Sequence, residues 1–503
     1  MTALNRRHFL TATTGLAAAA AGSQFLAPSR AEALTTSSPL LAGPSKPNGH
    51  KEFVTRPDLR PPTVDVNVSG AGDRRAPYVF LAPRVAPGGS MPTGSQRGLM
   101  IINRRGELVW FHPMTTYGKD PFNFQVGSYR GKPVLSWYQG TVSDQGIGAG
   151  GDYALMDDSY AMITTVGARH YQSDLHEFKI TDQGTALLSS YQPKTADHPI
   201  IPHAQEIDIA TNDVVFDWAS YPRIPVSDSY SNPGGDYFHL NSIDIWPGSS
   251  RDLLISGRHT STVYLINRKD QTIRWQVGGK NSSFTIGTGA DFSFQHDARA
   301  LLDGSGISVF DNANSTQGAP SQGMVIKLDQ SAKRAALVHR YGHTNGPSLR
   351  SNSQGNCQLL PSAGHFVGWG SNPYFTEYGP SGDQVEAPII LDGRFPDGVE
   401  SYRAFMFDWI GNPPLSELKL VVRRHDSAGD STAFVSWNGA TEVGVWVIEA
   451  GSSSGSLTRV ATVDRTRFEQ VIDFTRKGAS VFRAVAYTKA GKELGASQLY
   501  PRG

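Results

Sequence analysis

A two-strand pattern that recurs along the middle of the chain limits the folds available to it. Each copy begins with a short strand headed by polar residues, and an apolar strand follows after a brief gap. The copies cover residues 122–137, 174–188, 239–256, 295–310 and 354–369. The later copies recur about every 57 residues, a spacing typical of four-stranded propeller blades. Long helical periodicity is absent, so the pattern predicts an all-β fold.

A second element, a hairpin that ends in an aromatic residue, alternates with these pairs. Hairpins are predicted at residues 99–110, 206–218 and 263–275, with a looser copy at 324–341. Together the two elements give repeating four-stranded units, and residues 65–412 have room for roughly six of them. We therefore predict a six-bladed β-propeller over residues 65–412.

The pattern changes after Pro413 and Pro414. The following residues form short alternating strands with polar turns, and Trp437 is placed early, as a core tryptophan would be. This pattern predicts an immunoglobulin-like or fibronectin III-like β-sandwich over residues 415–503. No cluster of ionisable residues stands out in it. We expect a structural or adhesive accessory, with the cell envelope as a candidate contact.

The first residues have the features of an export signal. Residues 5–10 (NRRHFL) form a twin-arginine pattern, an apolar run follows as far as Ala21, and residues 31–33 (AEA) provide a cleavage signal. We assign residues 1–33 to a twin-arginine signal peptide. Residues 34–64 are rich in Pro, Ser and Gly and are predicted to be a linker or a strap lying over the fold.

Composition excludes several other classes of protein. Apolar residues make up 39% of the chain and charged residues 18%, as in globular proteins, and the net charge of +1 gives no electrostatic case for nucleic acid. No later apolar run reaches the ~18 residues of a membrane-spanning helix. Cys357 is the only cysteine, so neither an intramolecular disulfide nor a lipid anchor at the leader is expected. The mature protein is expected to be secreted.

A propeller brings the innermost strands of all its blades to one central channel. If the polar-headed strands are innermost, the channel collects His176, His239, Asn241 and His296, and Arg258 can reach the same mouth. These imidazole, amide and guanidinium donors suit a tetrahedral oxyanion such as a sulfuryl or phosphoryl group. No carboxylate of equal prominence accompanies them. A neutral histidine can also act as a nucleophile.

Residues 291–299 (DFSFQHDAR) contain the central candidate, His296. Phe292 and Phe294 alternate with polar residues, so the segment is predicted to be a half-buried strand. Because successive side chains of a strand point to opposite faces, Gln295 and His296 are expected to face different ways. Three channel histidines could also hold a metal ion. No carboxylate or fixed hydrogen-bond partner is visible in the sequence, so neither a metal nor a cofactor is predicted.

Four motifs resemble, in the same order, those of bacterial arylsulfate sulfotransferases: FHLNSI at 238–243, ISGRHTST at 255–262, IRWQVGG at 273–279 and FQHDA at 294–298. Enzymes of that family are six-bladed propellers that move a sulfuryl group from a phenolic sulfate ester to another phenol, without an adenylyl-sulfate cofactor. The resemblance covers residues 75–410. Cys357 alone cannot form the disulfide of the best-known members, and their N-terminal β-domain has no clear counterpart in this sequence. The sequence looks more like the actinobacterial and fungal branch.

The resemblance implies a role for each matched residue. His296 matches the nucleophile of the family, which becomes a transient sulfohistidine. Residues matching those that hold the sulfuryl oxygens are His239, Asn241 and Arg258. His176 matches a further channel histidine, and with Gln295 it is assigned to substrate binding.

The resemblance and the residues together predict an exported arylsulfotransferase that works by a two-step exchange. Its partners would be a small aryl sulfate donor and a phenolic acceptor. Two alternatives stay open. One is a non-catalytic propeller–sandwich protein that binds glycans or cell-envelope polymers, since propellers serve both roles. The other is a hydrolase that uses water as the acceptor.

Overall fold

The computed structural model describes residues 47–501 apart from 117, 232–233, 249, 315–317, 383 and 426–428. These residues form 35 strands and three short 3-10 turns, at Val226–Asp228, Leu415–Glu417 and Ser454–Ser456, and the described part of the chain contains no α-helix. The all-β prediction is confirmed. In the same residues, no helix is long and apolar enough to cross a membrane. The predicted signal peptide, residues 1–33, lies outside the described residues.

The strands up to the Pro413–Pro414 boundary are, in chain order, β1 (Asp65–Val68), β2 (Tyr78–Leu81), β3 (Arg84–Val85), β4 (Gly98–Asn103), β5 (Leu108–Pro113), β6 (Asp120–Tyr129), β7 (Lys132–Val142), β8 (Gly148–Met156), β9 (Met162–Val166), β10 (Gln172–Ile180), β11 (Thr185–Gln192), β12 (Ile201–Asp208), β13 (Val214–Ala219), β14 (Leu240–Ile245), β15 (Leu253–Gly257), β16 (Thr262–Ile266), β17 (Ile273–Gly278), β18 (Thr285–Ile286), β19 (His296–Ala300), β20 (Gly306–Asp311), β21 (Gln322–Asp329), β22 (Arg334–Tyr341), β23 (Asn356–Leu359), β24 (His365–Gly368), β25 (Tyr374–Tyr378), β26 (Ile389–Arg394), β27 (Val399–Glu400) and β28 (Phe405–Phe407). The strands after it are β29 (Leu418–Arg424), β30 (Asp430–Trp437), β31 (Val445–Gly451), β32 (Thr458–Asp464), β33 (Glu469–Thr475), β34 (Val481–Tyr487) and β35 (Glu493–Ala496).

Six sheets of four or five strands contain 26 of the 28 strands described before the boundary. We name them A (β28-β2-β4-β5), B (β6-β7-β8-β9), C (β10-β11-β12-β13), D (β14-β15-β16-β17), E (β18-β22-β21-β20-β19) and F (β1-β26-β25-β24-β23). Strands β3 and β27 form a separate pair. Every predicted strand pair and hairpin corresponds to two neighbouring antiparallel strands of one of these sheets.

Six hydrophobic cores join neighbouring sheets. Each core takes buried side chains from two sheets that follow one another, so the cores lie between A and B, B and C, C and D, D and E, E and F, and F and A. Between A and B, for example, Trp110 and Phe80 meet Trp137 and Phe124. Because the last sheet packs on the first, the six sheets close a cycle in which apolar faces are covered on both sides.

One strand of each sheet lies next to the corresponding strand of the following sheet. These inner strands are β28, β6, β10, β14, β19 and β23, and each contacts the next in that order. Side chains of β23 close the circle, because the amides of Asn356 and Gln358 hydrogen-bond to the backbone of Ala404 and Met406 in or beside β28. Polar residues on the inner strands are therefore brought to one place.

Register shifts interrupt four of the inner strands where they carry polar residues. The shifts fall between Phe122 and Gln125 in β6, between Ser173 and Phe178 in β10, between Leu240 and Ser242 in β14, and between His296 and Arg299 in β19. Asn123 and Asp297, inside two of them, have positive φ angles of 53° and 55°. A bulge of this kind bends the strand and re-aims its side chains.

The strand predicted to begin at Asp291 begins only at His296, so that part of the prediction is wrong. Phe294 has a φ angle of 52°, in the left-handed region, which is incompatible with an extended strand. The backbone N–H groups of Ser293 and Phe294 donate to the side chains of Asp311 and Ser261 instead of to a neighbouring strand.

The residues after the boundary form two sheets around one further core. Sheet G is β29-β30-β33 and sheet H is β32-β31-β34-β35, and both supply side chains to a cluster that contains Trp437 and Trp446. The amide of Asn438 exchanges two hydrogen bonds of 3.0 Å with the backbone of Phe111 in sheet A. These sheets are therefore docked on the first part of the chain by specific contacts.

The described part of the predicted linker, residues 47–64, is mostly irregular. The carboxylate of Glu469 accepts hydrogen bonds from the backbone N–H groups of Val54 and Thr55 at 3.0 and 2.6 Å, and Phe53 packs on Phe468 with ring centroids 4.5 Å apart. Cys357 in β23 is fully buried and unpaired.

Candidate active site

His296 begins the inner strand β19 and is almost fully buried. Its Nδ1 lies 2.7 Å from Oδ1 of Asn312. The amide nitrogen of Asn312 donates to the carbonyl oxygens of Ser351 and Gln354 at 2.8 and 3.1 Å, which turns Oδ1 toward the imidazole. Because Oδ1 can only accept, Nδ1 of His296 carries the proton and the lone pair is on Nε2.

The Nε2 lone pair of His296 receives one weak hydrogen bond, a 3.2 Å contact from the backbone N–H of Gln354. Burial, together with the positive charge of Arg258, holds the pKa of His296 well below its usual value. The imidazole is therefore neutral, which is the form in which histidine acts as a nucleophile.

His176 and Asp174 form a hydrogen-bonded pair on the inner strand β10. Nδ1 of His176 lies 2.7 Å from the Asp174 carboxylate, which also accepts hydrogen bonds from the Gly148 N–H and the Ser189 hydroxyl. Burial would raise the pKa of Asp174, but the His176 imidazole and these hydrogen bonds lower it below the ordinary range. The carboxylate fixes the tautomer of His176 and leaves its Nε2 free to bind or move a proton.

A second pair joins His239, immediately before β14, to Asp236. The Asp236 carboxylate hydrogen-bonds to Nδ1 of His239 and accepts its backbone N–H at 3.0 Å. Burial raises the pKa of Asp236 to about 6, and burial lowers the pKa of His239 well below its usual value. The prediction that no prominent carboxylate accompanies the histidines is therefore wrong, because each of these two histidines has a carboxylate partner.

The three predicted histidines face one another from three different sheets. The ring centroids of His176 and His239 are 4.8 Å apart in an edge-to-face arrangement, and those of His176 and His296 are 6.3 Å apart. One ring nitrogen from each histidine lies within 4.8 Å of one from each of the other two. The inner strands thus bring together residues that are far apart in sequence.

Arg258 lies at the edge of this cluster, just after β15. Its Nη1 is 2.7 Å from Nε2 of His259, its Nη2 donates to the Asn352 carbonyl at 2.8 Å, and its guanidinium lies 5.2 Å from the ring centroid of Phe294. Its buried Nε meets no hydrogen-bond partner among the residues that the structure describes. Burial lowers the pKa of Arg258 to about 10, so the group stays charged at neutral pH without a carboxylate directly against it.

Asn241 and Gln295 lie beside the cluster without pointing into it. The Asn241 amide nitrogen donates to the carbonyl of Gln295 at 2.6 Å and so supports the residue before His296. The Gln295 amide nitrogen is directed to the other face, where it donates to the Ser256 hydroxyl and to the Gly257 carbonyl at 2.9 and 3.2 Å. The expectation that Gln295 and His296 face different ways is confirmed.

A buried network of charges adjoins the histidine cluster. Glu177 and Asp297 each follow a cluster histidine in sequence, and Arg299 bridges them with N···O distances of 2.7 and 2.6 Å. Arg403, fully buried, lies 3.6 Å from Glu177 and 3.4 Å from Asp297, and it donates to the Asn241 carbonyl at 2.9 Å. This network ties together the inner strands β10, β14 and β19 next to the cluster.

The family model of the arylsulfotransferases (ASST) matches residues 125–387, which is about half of the chain and contains every residue of the histidine cluster. The chain belongs to the arylsulfotransferase family. No curated protein matches it significantly.

Several solved structures are similar to this chain at low identity. A protein of unknown function from Bacteroides caccae is 12% identical over 66% of this chain and 99% of its own, with a TM-score of 0.38. The Dos1 propeller is 11% identical over 78% of this chain and 92% of its own, with a TM-score of 0.34. The hydrazine synthase of Kuenenia stuttgartiensis is 11% identical over 62% and 79%, with a TM-score of 0.35.

The sequence analysis did not identify the hydrogen-bond partners of the three histidines. Asp174 and Asp236 stand two and three residues before their histidines, so a search for nearby carboxylates would have found both. Asn312 lies 16 residues after His296, just beyond β20. Nothing in the sequence around it identifies it as the partner of His296. His259, next to Arg258, was also missed: burial lowers its pKa to about 3, and its neutral ring accepts from the guanidinium.

A pH-dependent effect on stability is expected at Asp311, the residue before Asn312. Its carboxylate accepts the backbone N–H groups of Ser293 and Ala313, and burial raises its pKa to about 6. Above that pH the folded state must hold a buried charge that the unfolded chain, with a normal pKa, exposes to water. The stability linked to Asp311 is therefore present below about pH 4 and is lost as the pH rises through 6.

The test replaces Asp311→Asn, which removes the ionisation and keeps an oxygen acceptor. The free energy of unfolding of the variant minus that of the unchanged protein is expected to increase by about 2–3 kcal/mol from pH 4 to pH 7. Denaturant titrations at both pH values measure this difference, with the exposed Asp197→Asn as control. A gain that is the same at both pH values would contradict the assignment.

Proposed function

We propose that sheets A to F form a six-bladed β-propeller over residues 65–412 and that sheets G and H form a fibronectin III-like sandwich over residues 415–503. The cycle of six cores between neighbouring sheets supports the propeller, and the shared core of sheets G and H supports the sandwich. Residues 34–64 serve as a strap in this scheme, and residues 1–33 serve as a twin-arginine signal that directs export.

The proposed function is transfer of a sulfuryl group from an aryl sulfate to a phenol through a covalent sulfohistidine. The observation that carries it is the neutral His296, whose Nδ1 proton is held by Asn312 and whose ring lies in one cluster with two histidine–aspartate pairs and the charged Arg258. A site built only to bind glycans has no need for a nucleophile among anion donors. Family membership supports the same reaction class.

In the first step, the Nε2 lone pair of His296 forms a bond to the sulfur of the donor. The bond between sulfur and the aryl oxygen breaks, and its electron pair leaves with the phenolate. Arg258 donates to the sulfuryl oxygens and stabilises the charge that develops on them. His239 is neutral and gives its Nδ1–H to Asp236, so it lines the position of the sulfuryl group without donating to it. The weak Gln354 N–H contact is lost as the sulfur–nitrogen bond forms.

In the second step, the acceptor phenol gives its proton to His176, whose Nδ1–H is held by the ionised Asp174. The phenol oxygen bonds to sulfur, and the sulfur–nitrogen bond returns its electron pair to His296. Asn241 acts on His296 through the backbone of Gln295, and Gln295 acts by packing under the strand. Both are positioning residues in this scheme.

The direct test is incubation of the full chain with 4-nitrophenyl sulfate, with and without added phenol. Release of 4-nitrophenol that depends on phenol, with formation of phenyl sulfate, is the expected result. Release that is independent of phenol and yields inorganic sulfate would indicate hydrolysis. No release with any phenolic acceptor from a folded protein would favour the non-catalytic glycan-binding alternative.

The change Arg258→Lys is expected to lower the rate of transfer about 10²- to 10³-fold, the cost of a misplaced oxyanion donor. An ammonium group cannot contact His259, the Asn352 carbonyl and a sulfuryl oxygen in the same geometry as a guanidinium. Steady-state release of 4-nitrophenol measures the effect. Arg251→Lys, in an exposed ion pair with Asp182, is the control and should keep full activity. Equal rates for both variants would remove Arg258 from the site.

A further inference from the structure

The three cluster histidines lie close together, with one ring nitrogen of each within 4.8 Å of one from each of the others. Each has its Nδ1 occupied by an acceptor: Asp174 for His176, Asp236 for His239 and Asn312 for His296. An imidazole whose Nδ1–H is donated in this way keeps its lone pair on Nε2. The cluster therefore offers three ring nitrogens whose imidazoles are held in orientation by acceptors on the opposite ring nitrogen.

This arrangement has the chemistry of a metal centre. Histidines that bind zinc almost always donate their other ring N–H to a carboxylate or carbonyl, which fixes the ring and increases its basicity. The three ring nitrogens lie within 4.8 Å of one another. Zinc–nitrogen bonds of about 2.0–2.1 Å place tetrahedral ligands roughly 3.3 Å apart, so small ring movements, each of the order of 1 Å, complete the site.

The charges around the cluster favour a cation. Asp174 and Asp236 each contact a cluster histidine, whereas Arg258 is the facing cation and is already engaged by His259 and the Asn352 carbonyl. Two carboxylates against one guanidinium leave a net negative charge for a divalent ion to neutralise.

A neighbouring group of possible ligands is less suitable. Asp236, His239 and His259 also lie within ligand distance of one another. Both ring nitrogens of His259 are already used, by the Asp236 carbonyl at 2.6 Å and by Arg258 at 2.7 Å. In the group formed by His176, His239 and His296, the Nε2 lone pairs meet no competing donor among the described residues except the weak 3.2 Å contact from the Gln354 N–H to His296.

We propose that His176, His239 and His296 together bind one divalent transition-metal ion of the zinc class, with a fourth position open to water or an anion. The metal and the sulfuryl group compete, because both need the Nε2 lone pair of His296. Metal binding follows from the ligand geometry alone. The competition rests in addition on the proposed transfer function.

The test uses the full chain, freed of metal with a chelator and then titrated with Zn²⁺ alone or with Co²⁺ alone. One Zn²⁺ per chain by equilibrium dialysis and the visible absorption of four-coordinate Co²⁺ are the expected results. The change His176→Asn keeps a donor for Asp174 but removes a ligand, and Asp174→Asn weakens the support of that ligand. Zinc affinity is expected to fall about 10- to 100-fold for Asp174→Asn and further for His176→Asn.

The matched control is His203→Asn, which removes another buried histidine hydrogen-bonded to an aspartate, Asp217. It should bind zinc normally. If His176→Asn does not fold, His296→Asn removes a different ligand and gives the same readout. Absence of stoichiometric zinc, or binding that neither ligand variant affects, would overturn the site.

The competition has its own readout. Zinc should abolish 4-nitrophenol release from the unchanged protein, and a chelator should restore it. Full turnover with the zinc site occupied would overturn the competition. A protein that binds zinc but never transfers sulfuryl groups would contradict the proposed function and leave the metal site standing.

Discussion

Replacing His296 with alanine or asparagine is expected to abolish sulfuryl transfer, with a loss of at least about 10⁴-fold in rate, the scale seen when a nucleophile is removed. Neither side chain can form a sulfuryl–nitrogen bond at the position of Nε2. His296→Asn is the sharper variant, because its amide can still hydrogen-bond to Asn312 and so preserves the local contacts.

Mass spectrometry gives a direct readout of this step. Protein quenched with donor alone should carry one added sulfuryl group on the peptide that contains His296, and the variants should carry none. His365→Asn is the control, since His365 is also buried but hydrogen-bonds to Tyr341 away from the cluster. A well-folded His296→Ala protein that still turns over would disprove the mechanism.

A large loss of stability is expected for Arg403→Met, about 3–5 kcal/mol in free energy of unfolding. Arg403 is fully buried between Glu177 and Asp297, and methionine of similar length removes its charge without filling its role as donor. Arg299 alone would then face two buried carboxylates. The Asn241 carbonyl and the Asn123 amide oxygen would also lose a donor.

Denaturant titration followed by tryptophan fluorescence measures this loss. The control is Arg483→Met, in which a half-exposed arginine loses its pairing with Glu449 in sheet H. Partly exposed pairs contribute about 1 kcal/mol or less. If both variants lose the same small amount, the buried network does not hold the inner strands together.

The strands and the order of their pairing could be predicted from the sequence because alternation and turns are local. The strand pairs β14–β15 and β19–β20, which contain or adjoin His239 and His296, could be predicted because each has a first strand headed by polar residues and an apolar second strand. The cluster of three histidines could be predicted only by assuming which strands are innermost. The structure brings these residues together as that assumption requires.

The partners of the histidines could be predicted only in part. Asp174 and Asp236 stand within three residues of their histidines and are visible to a search for nearby carboxylates, whereas Asn312 is 16 residues from His296 and reaches it only through the pairing of β19 with β20. The start of β19 was predicted at Asp291 instead of His296 because the contacts that end the strand come from residues distant in sequence. Alternation at Phe292 and Phe294 resembles a strand, whereas the backbone there is turned by side chains from other parts of the fold, Asp311 and Ser261.

The register shifts of the inner strands also have a consequence for engineering. His176, Asn241 and His296 owe their direction to irregular backbone as much as to their identity, because each lies within or at the edge of a shift. Transplanting these side chains onto the regular strands of another propeller would aim them wrongly. To graft one of these residues into another protein with its direction preserved, the whole inner strand, its bulge and the strand that pairs with it would have to be transferred together.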